Sequence, residues 1–370
     1  MKNSVAAITL IITLANPAAS AKEVNEHLAI GVGLFGIYQY GDFTNNLDDD
    51  GKPINSQGEG AAGLDLDIHY TPTPDDELYA RVRFVTGNGL NDIWYGGLAP
   101  FSSDLEDDVK DINGGSRDYL LEAWYKHRFA LGSDNHALSL TGGIIDSAAF
   151  LDDNAYADDE MTHFMNDAFV ARAYMPAWDT GAGAELDLGK WGVNAVWMHS
   201  KTDDAEDNSF NYLGGQVHYN AKPAMGESTY RLWVQGTSSD FLNPSEDEFE
   251  SRTGTGISIN QAMGETLGFF VRLAWQDDRA AVDYKAAYTG GLQLNGALWG
   301  RADDEAGLGY GYLKGGNLDI NRTDVLEAYV RFNLNRYADI TADIQYMKDD
   351  LQNASARKAW IPGLRFIASF

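Results

Sequence analysis

The chain has 370 residues, with 27 basic and 55 acidic side chains, a formal net charge of -28 and no cysteine. Without cysteine there can be no disulfide framework, thiolate zinc site or iron–sulfur cluster, and the acidic charge argues against a nucleic-acid partner because phosphates repel it. A hydrophobic content of 44% is ordinary for a folded protein and excludes an acidic disordered chain.

The first segment has the organisation of a secretory signal peptide. Lys2 precedes an apolar run over 5–15, and the small-residue triplet Ala19-Ser20-Ala21 follows it. A charged start, a short apolar run and an A-x-A-like site indicate export, and the run is too short to span a bilayer as a helix. We therefore expect a signal peptide over 1–21 and a single mature domain over 22–370. That domain is either a soluble exported domain or an outer-membrane β-barrel.

Apolar and polar residues alternate along most of the mature chain, which is the spacing of β-strands. The alternating segments approach about 9–11 residues, the length that transmembrane strands need, whereas soluble strands usually end near 5–6 residues. Aromatic residues lie near many predicted strand ends, where an interfacial girdle would place them, at Tyr38, Tyr40, Tyr70, Trp275, Tyr346, Phe366 and Phe370. These features favour the barrel over a soluble β-sandwich.

The pattern predicts sixteen strands, near residues 28–40, 61–70, 78–86, 118–129, 137–146, 182–188, 191–200, 211–220, 228–237, 252–261, 266–276, 284–296, 307–314, 324–335, 338–348 and 361–370. If the first strand runs outward, most inner connections are short and several outer ones are long, as in bacterial outer-membrane barrels. Sixteen strands enclose an aqueous channel. The predicted fold is all-β: a 16-stranded antiparallel transmembrane β-barrel whose long third outer loop, 147–181, folds into the lumen.

Several stretches resemble the carbohydrate-selective outer-membrane porins, the OprB-like family. The matching motifs are Gly143-Ile144-Ile145-Asp146, the segment 150–157, Phe164-Met165-Asn166, the segments 300–304 and 307–310, Leu326-Glu327-Ala328-Tyr329, Asp343-Ile344-Gln345-Tyr346 and the segment 363–370. They cover most of the chain beyond residue 140. The resemblance implies a passive pore in the outer membrane of a Gram-negative-type bacterium, through which small sugars diffuse inward.

Basic side chains recur on the polar face of the predicted strands, at Arg81, Arg83, Lys126, Arg128, Arg231, Arg272, Arg331 and Arg365. An arginine facing lipid near the midplane would cost about 2–4 kcal/mol, so this face is expected to line a wet pore. The predicted third loop carries acids at or near its start, at Asp146, Asp152, Asp153, Asp158, Asp159 and Glu160. Folded inward, it would narrow the pore and set these acids across from the basic wall, which polarises the lumen and tunes ion selectivity. Alternatively, the arginines only balance acids in a hydrated lumen.

Four aromatic residues fall on the same polar face and are candidate stacking platforms for sugar rings, namely Trp124, Trp233, Tyr79 and Tyr329. The alternatives are that they fill space at the barrel wall, or that the register is wrong by one residue, which would turn them toward lipid. Phe370 ends the last alternating strand and resembles the C-terminal signal that the outer-membrane assembly machinery reads. The acidic runs 48–50 and 203–207 could bind divalent ions that bridge lipopolysaccharide, but such runs are more often solvated loop tips.

No catalytic arrangement is recognisable. The histidines lack the H-E-x-x-H spacing, no G-x-S-x-G motif is present, and no single carboxylate pair is singled out. We expect no enzyme activity, no cofactor and no metal site. The sequence predicts an outer-membrane diffusion porin for small hydrophilic solutes, with sugars as the leading class, surrounded by outer-membrane lipid and lipopolysaccharide. The alternative is a general or ion-selective porin without sugar preference, and a homotrimer is expected only by analogy with general porins.

Overall fold

The computed structural model describes residues 22–132, 136–170, 175–201 and 209–370. The predicted signal peptide over 1–21 and the acidic run over 203–207 lie outside these ranges. Within them, none of the helices combines the length and the apolar run needed to span a bilayer. Most of the described residues lie in β-strands, so the molecule is built from its sheet.

The described part of the chain contains sixteen long strands, namely β1 Leu28–Thr44, β2 Gln57–Thr73, β3 Asp76–Thr86, β4 Leu120–Ala130, β5 Ala137–Ile145, β6 Asp179–Leu188, β7 Trp191–Lys201, β8 Ser209–Ala221, β9 Ser228–Thr237, β10 Thr253–Met263, β11 Leu267–Gln276, β12 Tyr284–Asn295, β13 Glu305–Gly315, β14 Ile320–Asn335, β15 Ala338–Leu351 and β16 Arg357–Ser369. Each pairs antiparallel with its neighbours in the chain, and β16 pairs with β1 from Lys358↔Thr44 to Ser369↔Gly33. The sheet therefore closes on itself, and the predicted sixteen-stranded antiparallel barrel is confirmed.

Besides the sixteen long strands, the described residues form several short elements. A strand at Lys22–Asn25 pairs with the start of β1, and a small hairpin joins Phe241–Leu242 to Phe249–Glu250. One short α-helix and four 3₁₀ turns lie in the connections, at Glu106–Val109, Ile112–Gly114, Ser147–Ala149, Asp167–Phe169 and Gly296–Trp299.

Several strands are longer than the sequence pattern predicts. β14 begins at Ile320 rather than at 324, and β16 begins at Arg357 rather than at 361. Backbone pairing continues there into polar residues, as at Lys358↔Thr44. Alternation of apolar residues therefore marks the outward apolar part of a strand and not its whole length.

The two faces of the sheet differ as the alternation predicts. Outward residues such as Leu326, Leu364 and Phe366 are exposed, whereas Gln345 and Thr341 on the opposite face are buried. A soluble protein buries its large apolar side chains, but this barrel exposes them in a belt. Exposed aromatic residues at Tyr38, Tyr40, Tyr70, Trp275 and Phe370 belong to that outward surface. An apolar belt around a closed sheet is the surface that a lipid bilayer solvates.

The two ends of the barrel have different connections. At the short-turn end, strands are joined by pairs of residues such as 189–190 and 336–337, and Gly189 there has the positive φ of 80° that a tight hairpin favours. At the long-loop end lie the second loop, 87–119, and the third loop, 146–178. This asymmetry matches the one predicted from the sequence.

The inward face is not uniformly polar. Leu90, Trp94 and Leu98 of the second loop pack in one buried apolar cluster with residues of the third loop and of the wall, Ala157, Phe164, Ala168, Phe169, Trp233, Phe270, Ala274, Ala287, Leu313, Val325, Tyr329, Met347, Ala359 and Ile361. Two further clusters join the loops to other parts of the wall. The long loops therefore have a hydrophobic core of their own against the buried face of the sheet, which the strand alternation alone did not predict.

Replacing Leu364 by arginine should lower the free energy of unfolding by about 2–4 kcal/mol, the cost of an arginine on the lipid face at the bilayer midplane. Leu364 lies within β16 and is 53% exposed on the outward face. The measurement is denaturant unfolding in lipid vesicles, followed by tryptophan fluorescence. The control is Leu188→Arg at the end of β6, 42% exposed, where the cost near an interface should be about 0–1 kcal/mol. Equal costs at the two positions would contradict the assignment of the apolar belt.

Candidate functional site

A ladder of charged pairs crosses the inward face of β2, β3 and β4. The antiparallel register sets Asp65 opposite Arg83, Asp67 opposite Arg81, and Arg81 opposite Glu122. Arg83 binds Asp65 through two hydrogen bonds of 2.7 and 2.8 Å, and Arg81 Nε lies 2.8 Å from Asp67 Oδ1 and 4.0 Å, through Nη1, from Glu122 Oε1. The predicted basic positions here are matched by acids on neighbouring strands, so this wall carries fixed donors and acceptors with little net charge.

Arg272 of β11 holds the third loop. Its side chain is 1% exposed, and Nε donates to Asp152 Oδ1 at 3.2 Å while Nη2 donates to Asp158 Oδ1 at 2.7 Å. The same guanidinium donates to the backbone oxygens of Asp152, Ala157 and Phe169. Arginine suits this position because it offers five N–H donors in a rigid plane.

Two further arginines contact the same loop. Arg231 of β9 binds Asp153 through two hydrogen bonds of 2.7 and 2.8 Å and donates to Asn260 Oδ1 at 2.6 Å. Arg365 of β16 donates to the backbone oxygens of Glu160 and His163 at 2.6 and 3.0 Å. The third loop is therefore joined to the wall at several strands by guanidinium groups.

These contacts correct the predicted geometry of the basic wall. Arg231, Arg272 and Arg365 were expected to line the pore and face the loop acids across water, but they are buried beneath the loop. Asp152, Asp153 and Asp158 bind the first two of them directly. The physical reason is that a desolvated charge is stabilised by direct, multiply hydrogen-bonded contact with its partner.

Of the other predicted basic residues, Arg83 is buried, while the rest keep part of their surface exposed. Lys126 Nζ lies 2.9 Å from Glu185 Oε2, and Arg331 Nη2 lies 3.0 Å from Glu305 Oε2. Arg128 is the most exposed, at 44%, and its Nη1 is 3.7 Å from Asp75 Oδ1. With Arg81, these are the predicted basic residues whose side chains stay partly exposed.

Three of the predicted loop acids make no ion pair within the described residues, namely Asp146, Asp159 and Glu160. Asp146 Oδ1 accepts a hydrogen bond from Ala148 N at 2.8 Å, and Asp159 accepts from Met161 N and Thr162 Oγ1 at 2.8 and 2.6 Å. Each of the three is thus held by hydrogen bonds or burial rather than by a direct ion pair among the described residues.

Burial decides the ionisation of the loop acids. It raises the pKa of Asp146 to about 8, and burial together with the charge of Asp159 raises the pKa of Glu160 to about 7. Burial also acts to raise the pKa of Asp153, but the attached Arg231 outweighs it and holds that pKa below its usual value. Burial likewise raises the pKa of Asp158 to about 8, although Arg272 binds it. Asp153 therefore stays ionised, while Asp146, Asp158 and Glu160 titrate near neutrality.

The four predicted stacking residues lie on the inward face, so the register was predicted correctly. Tyr79, Trp124, Trp233 and Tyr329 are only 2–7% exposed, however. Tyr79 Oη donates to Asp67 at 2.6 Å, Trp124 Nε1 donates to Glu122 at 2.9 Å, and Tyr329 Oη donates to Glu305. Their buried rings support the alternative that they fill space at the wall, and a direct stacking role stays a prediction that this burial does not favour.

The packing of the second loop against the buried face of the sheet was not predicted from the sequence. The loop carries a signal for it, because large apolar residues such as Leu90, Trp94 and Phe101 recur among its polar residues and need a surface to cover. Within the described ranges, no group of three or more histidine, aspartate or glutamate side chains is arranged to hold a metal ion.

Replacing Arg272 by methionine should lower the free energy of unfolding by about 3–5 kcal/mol, since it deprives a buried carboxylate of its cation. The double variant R272M/D152N should lose less than R272M, because the buried negative charge is removed as well. The control is Arg128→Met at the exposed pair with Asp75, with an expected change of about 0–1 kcal/mol. Denaturant unfolding in lipid vesicles measures the free energy of unfolding of all three variants. A double variant no more stable than R272M would argue against the pairing of Arg272 with Asp152.

Comparison with known proteins agrees with this geometry. The model of the carbohydrate-selective porin, OprB family, matches residues 189–370. An uncharacterised protein of Aquifex aeolicus (strain VF5) is 31% identical over 288 residues, covering 75% of this chain and 80% of that protein. The high-pH structure of Pseudomonas putida OprB matches with a TM-score of 0.72 at 14% identity, over 93% of this chain and 94% of that one. The outer membrane channel DcaP of Acinetobacter baumannii matches with a TM-score of 0.59 at 12% identity, over 95% and 100%. These structural matches show the fold, and with the family model they place the chain in the carbohydrate-selective porin (OprB) family.

Proposed function

We propose that this outer-membrane porin conducts small sugars by passive diffusion, through a constriction that the third loop forms inside the barrel. The observation that carries the proposal is the set of hydrogen bonds between the third loop and strands all along the second half of the barrel. The family assignment supports sugars as the solute class. A general or ion-selective porin is the second candidate.

The contacts of the third loop support its place in the lumen. Phe150 O accepts from Asn194 of β7 at 2.9 Å, and Asn154 Nδ2 donates to Ser258 Oγ of β10 at 3.0 Å. Arg272 of β11 and Arg365 of β16 bind later parts of the same loop. Bonds from one segment to inward-facing side chains on β7, β10, β11 and β16 of a closed sheet support the proposal that the loop crosses the space that the sheet encloses.

Paired charges suit the passage of neutral polar solutes. Arg81 lies between Asp67 and Glu122, and Arg331 lies between Glu305 and Asp339. Each set has one cation between two acids, so it offers fixed donors and acceptors with part of the charge neutralised. A sugar hydroxyl can exchange its water hydrogen bonds for these groups at little net cost.

The second candidate is favoured by the unpaired acids. Asp146, Asp159 and Glu160 lack an arginine partner in the described structure, and the whole chain has a formal charge of -28. Acidic groups in a channel raise the local concentration of cations. A general, cation-preferring pore would use these same residues and show no response to sugar.

Further properties of the porin stay predictions. We infer that Phe370 acts in recognition by the assembly machinery. The inference is supported by its exposed ring and by the two backbone hydrogen bonds, of 3.0 and 2.9 Å, that join it to Val32 of β1. From the sequence we also propose contact with lipopolysaccharide, export directed by the segment 1–21 and assembly as a homotrimer.

The proposal is tested by single-channel recording of the refolded mature protein in a planar bilayer. Glucose and maltose at millimolar concentration should reduce the current in steps or raise its noise, and radiolabelled sugar should enter proteoliposomes. Openings that sugar leaves unchanged, with a strong preference for cations, would instead establish the second candidate.

The ion preference of the channel should depend on pH. Asp146 and Glu160, with pKa values of about 8 and about 7, are neutral below these values and negative above them. The ratio of K⁺ to Cl⁻ permeability should therefore rise between pH 6 and pH 9, as the reversal potential in a salt gradient reports.

The double variant D146N/E160Q removes two of the titrating groups and should lower the slope of the pH profile, while Asp158, with a pKa of about 8, leaves a smaller rise. Asp50→Asn changes one acid at an exposed loop position and should leave the slope intact. A wild-type profile as flat as that of the double variant would show that these two acids do not face the conducting path.

A further inference from the structure

Three of the motifs that resemble the porin family meet at one buried point. Glu327, from Leu326-Glu327-Ala328-Tyr329 on β14, is fully buried. Its Oε1 accepts a hydrogen bond from Met165 N at 2.5 Å, and its Oε2 accepts one from Asn166 N at 3.0 Å. A carboxyl group that accepts two successive backbone N–H groups fixes the position of that backbone closely, because both hydrogen bonds must keep their length and direction.

Gln345, from Asp343-Ile344-Gln345-Tyr346 on β15, extends this contact to the second loop. Its Oε1 accepts from Asn166 Nδ2 at 2.9 Å, and its Nε2 donates to Pro100 O at 2.9 Å. Gln39 of β1 donates to the same Pro100 oxygen at 3.1 Å. Both glutamines are fully buried, so their bonds are shielded from water.

The second and third loops also bond to each other at this point. Ser102 N donates to Met165 O at 2.9 Å, and Asp167 N donates to Ala99 O at 3.1 Å. Ser102 Oγ donates to Asp167 Oδ1 at 3.0 Å. The segments 99–102 and 164–167 are thus joined side by side, and a shift of one would break its bonds to the other.

We propose that Glu327, supported by Gln345 and Gln39, is a positioning residue that holds the second and third loops as one unit against β1, β14 and β15 and so sets the width of the pore. The link to pore width rests on the proposed function. Without the Glu327 carboxylate, the N–H groups of Met165 and Asn166 would be buried without an acceptor, a state that folded proteins rarely retain. The joined segments must then move to find water.

The test uses the absence of native cysteine. Met165→Cys places a single thiol beside the Glu327 contact without removing the backbone bond, and Ser103→Cys places one in the second loop. Both native side chains are buried, so a charged methanethiosulfonate reagent should label each thiol slowly in the otherwise native, folded barrel. Adding E327A should speed labelling at both positions by at least tenfold, with E327Q intermediate. The conductance should also rise, and block by maltose should weaken.

Gln261→Ala is the matched control. Gln261 is a buried polar residue on the wall whose amide donates to backbone oxygens of Gly226, Glu227 and Ala262, away from both loops. It should leave labelling at both thiols unchanged. Heat-modifiable migration on gels verifies that each variant is folded. If E327A fails to fold, the labelling rates of the two thiols are compared in Q345A and E327Q instead.

The outcomes separate the two proposals. Faster labelling in the second and the third loop together supports the positioning role. If conductance and sugar block stay unchanged while labelling accelerates, the positioning role still holds, but the third loop is rejected as the constriction. Labelling in the Glu327 variants no faster than in Q261A would overturn the positioning role. Acceleration at the third-loop thiol alone would overturn the joining of the two loops.

Discussion

Backbone pairing between β1 and β16 is the constraint on which the rest of the structure depends. A bilayer offers no water to an unpaired strand edge, so a transmembrane sheet must close. Once it closes, every strand has one face toward lipid and one toward the interior. A ring of sixteen strands is too wide for wall side chains alone to fill. Apolar residues of the two long loops form buried clusters with residues on the inward face of that wall.

Charge balance follows from the same closure. An arginine on the inward face is partly cut off from water, so it needs an acid or several oxygen acceptors beside it. On β2, β3 and β4 that acid comes from the neighbouring strand, as with Asp65 and Arg83, whereas Arg272 receives its acids from the third loop. The same guanidinium group therefore has two uses in one barrel. Beside a strand acid it gives the lumen a lining of fixed donors, and beneath a loop it fastens that loop to the wall.

Local pattern predicted the barrel well and the interior less well. The strand number, the antiparallel order, the inward register of Trp124 and Tyr329 and the asymmetry of the ends all follow from a period of two and from connection length. The burial of Arg231, Arg272 and those aromatics depends on where distant loops pack. Arg272 and Asp158 are 114 positions apart, and Glu327 and Met165 are 162 apart. No spacing rule in one segment encodes such contacts, although the resemblance of the Glu327 and Asn166 motifs to one family marked both as notable.

The order of residues along the chain has a consequence for how the barrel is built. The third loop precedes β6, but the side chains that seat it are supplied by β9, β11, β14 and β16, which come later in the sequence. A half-inserted chain has the loop without its binding surface, and Arg365 arrives only with the strand that completes the ring. Complete binding of the third loop therefore requires the last strand. A barrel without β16 would lack both the pairing with β1 that closes the ring and the arginine that binds Glu160 and His163 of the loop.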